Sequence, residues 1–187
     1  TWTNGMPGIL DFQDAFTVNA QSTVLTFTKN VFDVTTGQSG ATARPGDTLK
    51  YTLTVQNAGG LAASGLSLTD ELDKLNSSAM FVPGSLTLTT VPAGANVSQT
   101  SATGGTKGTG LVSIGNLNID AQGGANDKLV IEFTIRLLSV LNSGTKVLNQ
   151  GLIGSSTLPS LSSNDPSQGS TASPTQTTIV SAPAFRV

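Results

Sequence analysis

The sequence predicts an all-β fold, an immunoglobulin-like β-sandwich of seven or more strands with an extended N-terminal segment, on three observations. Hydrophobic and polar residues alternate at period two in several separate segments, as in strands with one buried face. Turn residues recur at intervals of roughly 8–12 positions, the spacing of sandwich strands. No segment carries apolar residues at the 3.6 period of a long amphipathic helix. With 187 residues the chain can bury one sizeable core, since a domain typically takes ~100–200. The expected division is residues 1–20 as an N-terminal extension and 21–187 as the sandwich.

Residues 1–20 hold the only Trp, Trp2, together with Met6, Ile9, Leu10, Phe12, Phe16 and Val18, while Gly5, Pro7 and Gly8 discourage a helix. So apolar a segment has two fates open to it. It can add a first strand and a flap to its own sandwich, or act as a donor strand that completes an exposed sheet edge on a neighbouring subunit. Residues 23–34 then read as a long β-branched strand with Leu25, Phe27, Lys29 and Val31 in one phase, which points Lys29 inward. A loop is expected over 37–43, followed by a Pro45-Gly46 turn.

From Leu49 the alternation is strict, with Leu49, Tyr51, Leu53 and Val55 on one face and Lys50, Thr52, Thr54 and Gln56 on the other. Asn57-Ala58-Gly59-Gly60 breaks the pattern as a turn, and Leu66, Leu68 and Asp70 restart it. Residues 70–78 are compatible with one helical turn capped by Asp70. Leu86 and Leu88 mark another strand, Val97 begins one more, and the Gly-rich run 103–110 is read as a solvated hairpin loop. It lacks the Gly-Lys-Ser/Thr order and the following helix of a phosphate-binding loop. Strands follow at 111–119, at 128–138 with Leu129, Ile131, Phe133, Ile135 and Leu137 inward, and at 145–153. Residues 155–173 read as a long Ser/Pro-rich loop and 175–180 as the closing strand.

Composition excludes several functions. Charged residues are only 11% and the net charge is -2, so the basic patch needed for nucleic acid or an anionic membrane surface is missing. No stretch approaches the ~20 apolar residues of a transmembrane helix. Cys and His are absent, which removes disulfides, Ser-His-Asp and Cys-His catalysis and the usual zinc sites. A start at Thr1 suits an exported chain after signal-peptide removal, and equally a trimmed one.

Several motifs occur in a particular order: Lys29, Pro45-Gly46-Asp47, Tyr51-Thr52-Leu53-Thr54-Val55, Asn57-Ala58-Gly59 and Thr69-Asp70. Phe81-Val82-Pro83-Gly84-Ser85-Leu86, Val147-Leu148-Asn149-Gln150 and Ser163-Asn164-Asp165-Pro166-Ser167 continue the series. In this order and spacing, over roughly residues 23–180, the chain resembles the conserved repeat domain of prokaryotic surface proteins called domain of unknown function eleven. The resemblance implies an immunoglobulin-like sandwich outside the cell, and no activity.

Three polar residues fall in inward phases, Lys29 with Leu25 and Phe27, Asp70 with Leu66 and Leu68, and Asn149 with Val147 and Ile153. Unpaired buried charges are costly, so if all three are buried they should meet. Burial favours the neutral amine and the neutral acid, the forms in which Lys can attack an Asn carboxamide polarised by the acid and close an intramolecular isopeptide bond. The fimbrial isopeptide domains, to which this region is similar, use a Lys, an acid and an Asn in comparable strand positions. The alternative is a plain hydrogen-bonded cluster, or a Lys that reaches water along its own stem.

Asp70, Glu71 and Asp73 are weak calcium candidates, with Asp120, Asp127 or Asp165 as further oxygen sources, but no EF-hand-like spacing is present. No other cofactor is expected. Asn76-Ser77-Ser78 and Asn96-Val97-Ser98 are glycosylation sequons. Only one acid lies in an inward phase, so the carboxylate pair of a glycosidase is missing and no external catalysis is expected. The function expected is a structural subunit of an extracellular filament or tube, a helical homopolymer on the cell surface assembled by strand exchange of residues 1–20. The alternative is an adhesion or ligand-binding module of a larger surface protein.

Overall fold

The structure, a computed structural model, describes residues 21–71, 78–101, 111–169 and 171–182. The proposed interface residues Trp2, Met6, Ile9, Leu10, Phe12, Phe16 and Val18 lie outside the described residues, as do Asp73 and Asn76. Within them the fold is all-β. Its strands are β1 (Leu25–Asp33), β2 (Gln38–Ser39), β3 (Thr42–Ala43), β4 (Thr48–Asn57), β5 (Ala63–Glu71), β6 (Ala79–Phe81), β7 (Thr87–Thr90), β8 (Leu111–Ile119), β9 (Lys128–Leu137), β10 (Lys146–Asn149), β11 (Leu152–Gly154), β12 (Leu161–Ser162) and β13 (Thr175–Ile179).

The middle of the sandwich is built where the alternation is strongest. β4 pairs antiparallel with β9, and Tyr51, Leu53 and Val55 lie opposite Phe133, Ile131 and Leu129, all buried. β1 adds to the other side of β4, and β2, β6 and β7 extend the sheet, which runs β2-β1-β4-β9-β6 with β7 also on β9. Two smaller sheets, β10-β13-β3 and β12-β11-β5-β8, supply the facing side chains. Leu66, Leu68, Val112, Ile114, Val147, Ile153 and Ile179 from these sheets share one core with the β4–β9 residues.

The turn motifs carry out local tasks. Gly46 takes φ 88°, a left-handed conformation that costs glycine little, and Asp47 accepts a 2.6 Å hydrogen bond from the Arg44 amide that closes the Pro-Gly turn. At the far end of β4, buried Asn57 accepts from the Val24 and Gly59 amides and donates to the Leu61 and Asp120 carbonyls. One side chain thus ties the chain entering β1 to two turns.

Five local expectations change, the first being that Asp70, expected to cap a helical turn, lies within β5 opposite Val112. The single strand over 145–153 is two strands in different sheets, β10 on β13 and β11 on β5, because the chain crosses between sheets at Gln150-Gly151. The loop over 37–43 contains the short strands β2 and β3. The long loop over 155–173 includes β12, a 3-10 turn at Pro166–Gln168 capped by Asp165, and a bridge from Asn164 to Thr28 on the open edge of β1. Val97 starts no strand; Asn96 and Ser101 make only isolated bridges to Gly115 and Leu111.

Candidate isopeptide site

Lys29, Asp70 and Asn149 come from the three sheets, on β1, β5 and β10. Each follows a period-two burial pattern, so the backbone alone aims all three side chains inward. They meet in the core. Lys29 is fully buried, with Asp70 2% and Asn149 1% exposed. The Lys29 ammonium nitrogen donates to Asp70 Oδ2, and lies 2.6 Å from Asn149 Oδ1.

Aromatic rings flank the amine. Tyr51 and Phe133 stack with centroids 5.2 Å apart, and Lys29 Nζ sits 5.3 Å from the first ring and 5.2 Å from the second. Burial pushes the Lys29 amine below its ordinary value, against the opposing pull of the Asp70 charge and its hydrogen bond. This moves the amine toward its nucleophilic, neutral form.

Residues the phase argument did not single out complete the site. Thr175 Oγ1 donates to the Asn149 carbonyl at 2.8 Å, on the strand paired with β10. The Gly151 amide donates to Ser163 Oγ at 2.9 Å, and the Ser163 amide donates back to the Gly151 carbonyl. Tyr51 and Phe133 were legible as inward residues, but their pairing across β4 and β9 depends on register. Gly151 gave no signal because the contact that requires it comes from β1.

Among the described residues four buried side-chain polar atoms lack a hydrogen-bond partner, and two of them, Asp70 Oδ1 and Asn149 Nδ2, belong to the trio. Such orphans are costly. Loss of Asn149 Nδ2 as ammonia would remove one of them. The trio therefore holds the parts of an amide exchange: a desolvated amine, a carboxamide within reach, and a carboxyl group touching the amine.

The other candidate residues do not gather. Glu71 is exposed on the opposite face of β5 from Asp70. Asp120 accepts from Asn126, Asp127 from the Gly123 amide, and Asp165 from Ser167. Among the described residues no three acids are grouped to hold a metal ion. Asn96 is exposed, and its Oδ1 accepts from the Ser98 amide within the sequon. No helix of the described residues is long and apolar enough to cross a membrane.

No protein-family model matches the sequence, and no curated protein sequence does. The resemblance to the surface-protein repeat thus rests on its motifs alone. Among solved structures, the chain is similar to the major pilin subunit of Bacillus cereus at 10% identity, over 83% of this chain and 40% of the pilin, with a TM-score of 0.48. A 35 kDa C-terminal fragment of the major pilin of Streptococcus agalactiae matches at 12% identity, over 83% of this chain and 56% of the fragment, with a TM-score of 0.44. An exo-β-N-acetylglucosaminidase of Vibrio harveyi matches at a TM-score of 0.30 and 10% identity, over 84% of this chain and 18% of the enzyme. The chain spans about two fifths of the length of the Bacillus pilin.

Proposed function

We propose that this chain is a structural subunit of an extracellular filament or tube, that its sandwich closes a Lys29–Asn149 isopeptide bond, and that residues 1–20 complete a neighbouring subunit. The observation that carries the reading is the 2.6 Å approach of the buried Lys29 amine to the Asn149 carboxamide beside Asp70. A sealed cluster of this kind has no access to an external substrate, so its chemistry acts on its own chain.

The neutral Lys29 amine adds to the Asn149 carboxamide carbon while the protonated Asp70 carboxyl donates its proton toward the carboxamide oxygen. The carboxylate then takes a proton from the added amine and passes it to Asn149 Nδ2, which leaves as ammonia as the carbonyl re-forms and the hydroxyl proton returns to Asp70. One C–N bond forms and one breaks, no redox partner is needed, and Asp70 ends as it began. A covalent tie between sheets resists tension without needing an oxidising compartment, which suits a subunit that bears load.

Electron microscopy of the purified full chain tests the reading. Filaments or tubes are expected. A protein that stays monomeric at every concentration and retains a small-molecule or glycan ligand is instead a binding module, and the subunit reading is lost.

A further inference from the structure

Away from the isopeptide cluster, an open groove of about 660 Å³ lies at one end of the sandwich, lined by Pro45, Val140, Leu141, Val180 and Ala182 with Arg44 at its side. Its apolar residues are solvent-facing: Val140 is 83% and Val180 51% exposed, and Leu138 beside them 38%. Grouped exposed apolar side chains of this kind mark a docking surface. We infer that this groove receives the apolar N-terminal segment, residues 1–20, of the next copy of the chain. The inference rests on the polymerisation reading and names its acceptor.

Polarity along the molecule supports that occupant. The Pro45-Gly46 turn lies at the Thr48 end of β4, whereas the chain entering β1 is tied to the Asn57 end, through Leu61 N to Ser22 O and Ala58 N to Val24 O. The ten residues of β4 separate these ends by about 30 Å at ~3.4 Å per residue. β1 runs from the Asn57 end toward the groove end, so the described chain enters β1, over residues 21–24, at the end opposite the groove. Donor and acceptor at opposite ends make a heterologous contact, which propagates into a filament when the rotation between copies does not close a ring.

Charge agrees. Residues 1–20 contain Asp11 and Asp14 and no Lys or Arg, and Arg44 flanks the groove. The nearby carboxylates are already engaged by their own chain, Asp33 by Thr35 and Thr36 and Asp47 by the Arg44 amide.

The absence of cysteine permits a clean test in the full chain. Val140→Cys protein is mixed with Leu10→Cys, Phe12→Cys or Phe16→Cys protein under mild oxidation, and Val140→Glu is imaged for polymers. Disulfide-linked heterodimers in at least one mixture, together with loss of polymer in Val140→Glu, are expected. Polymers that persist in Val140→Glu with no heterodimer in any mixture overturn the groove as acceptor while leaving the subunit reading intact. Unaltered protein that never polymerises overturns both. A Phe12→Cys/Val140→Cys double variant that links only within one chain shows a flap on its own domain, which also overturns the inference.

Discussion

Gly151 is where the smallest change reaches the chemistry. A Cβ built there would lie 2.7 Å from Phe27 Cζ, 3.3 Å from Phe27 Cε1 and 3.5 Å from Asp70 Oδ2. Gly151→Ala must therefore displace Phe27, which precedes Lys29 by two positions on the same face, while Asp70 Oδ2 stays at an ordinary contact distance. We expect a stability loss of about 1–3 kcal/mol, typical of overpacking, and a slower rise of the cross-linked fraction, read by urea titration and by mass after refolding. An unchanged rate would show that displacing Phe27 leaves Lys29 in place. Lys29, Asp70 and Asn149 were legible because period two fixes which side of a strand a residue faces. The crowding at Gly151 was not, since it depends on how β1 packs against a crossing between two other sheets.

At the scale of elements, Asn57 secures the start of the sandwich. Its side chain makes hydrogen bonds to four backbone groups, at Val24, Gly59, Leu61 and Asp120, from a fully buried position. Asn57→Ala removes these four hydrogen bonds and should cost about 2–4 kcal/mol, given ~1–3 for a buried group left unsatisfied. Amide exchange at Val24 and Gly59 should accelerate before exchange at Leu53 does. Uniform acceleration would contradict the local role. The strands β1, β4, β5, β8 and β9 were legible because their alternation is long. The division of 145–153 was not, because Val147, Asn149 and Ile153 keep one inward phase while the chain changes sheets, and a phase carries no information about the partner strand.

For the whole molecule, the proposed cross-link would decide how force and protons act. Lys29 and Asn149 are 120 positions apart, and closing a loop of this length is worth on the order of 5 kcal/mol in the chain-entropy account of covalent ties. Pulled from its ends, a linked sandwich cannot extend the segment between them. Force spectroscopy should show a contour-length gain shorter by about 400 Å than in Asn149→Ala, at ~3.3–3.6 Å per residue; equal gains would exclude the tie.

Protons give an independent check. In unlinked Asn149→Ala protein, burial holds the Lys29 amine below its ordinary 10.5. Between the lowered folded value and 10.5 the unfolded chain binds more protons than the folded one, so stability rises with pH through that window. The linked protein has an amide nitrogen there and should lack this rise. Matching slopes in urea titrations of the two proteins would count against a linked Lys29.

Intact-mass measurement of the full chain is the most direct test of the central claim, that the buried trio reacts. The account predicts a mass lower than the sequence mass by one ammonia, a proteolytic fragment joining the Lys29 and Asn149 peptides, and the full sequence mass in Asp70→Ala. An unaltered protein at its full sequence mass, with Lys29 and Asn149 recovered in separate unmodified peptides, would contradict it.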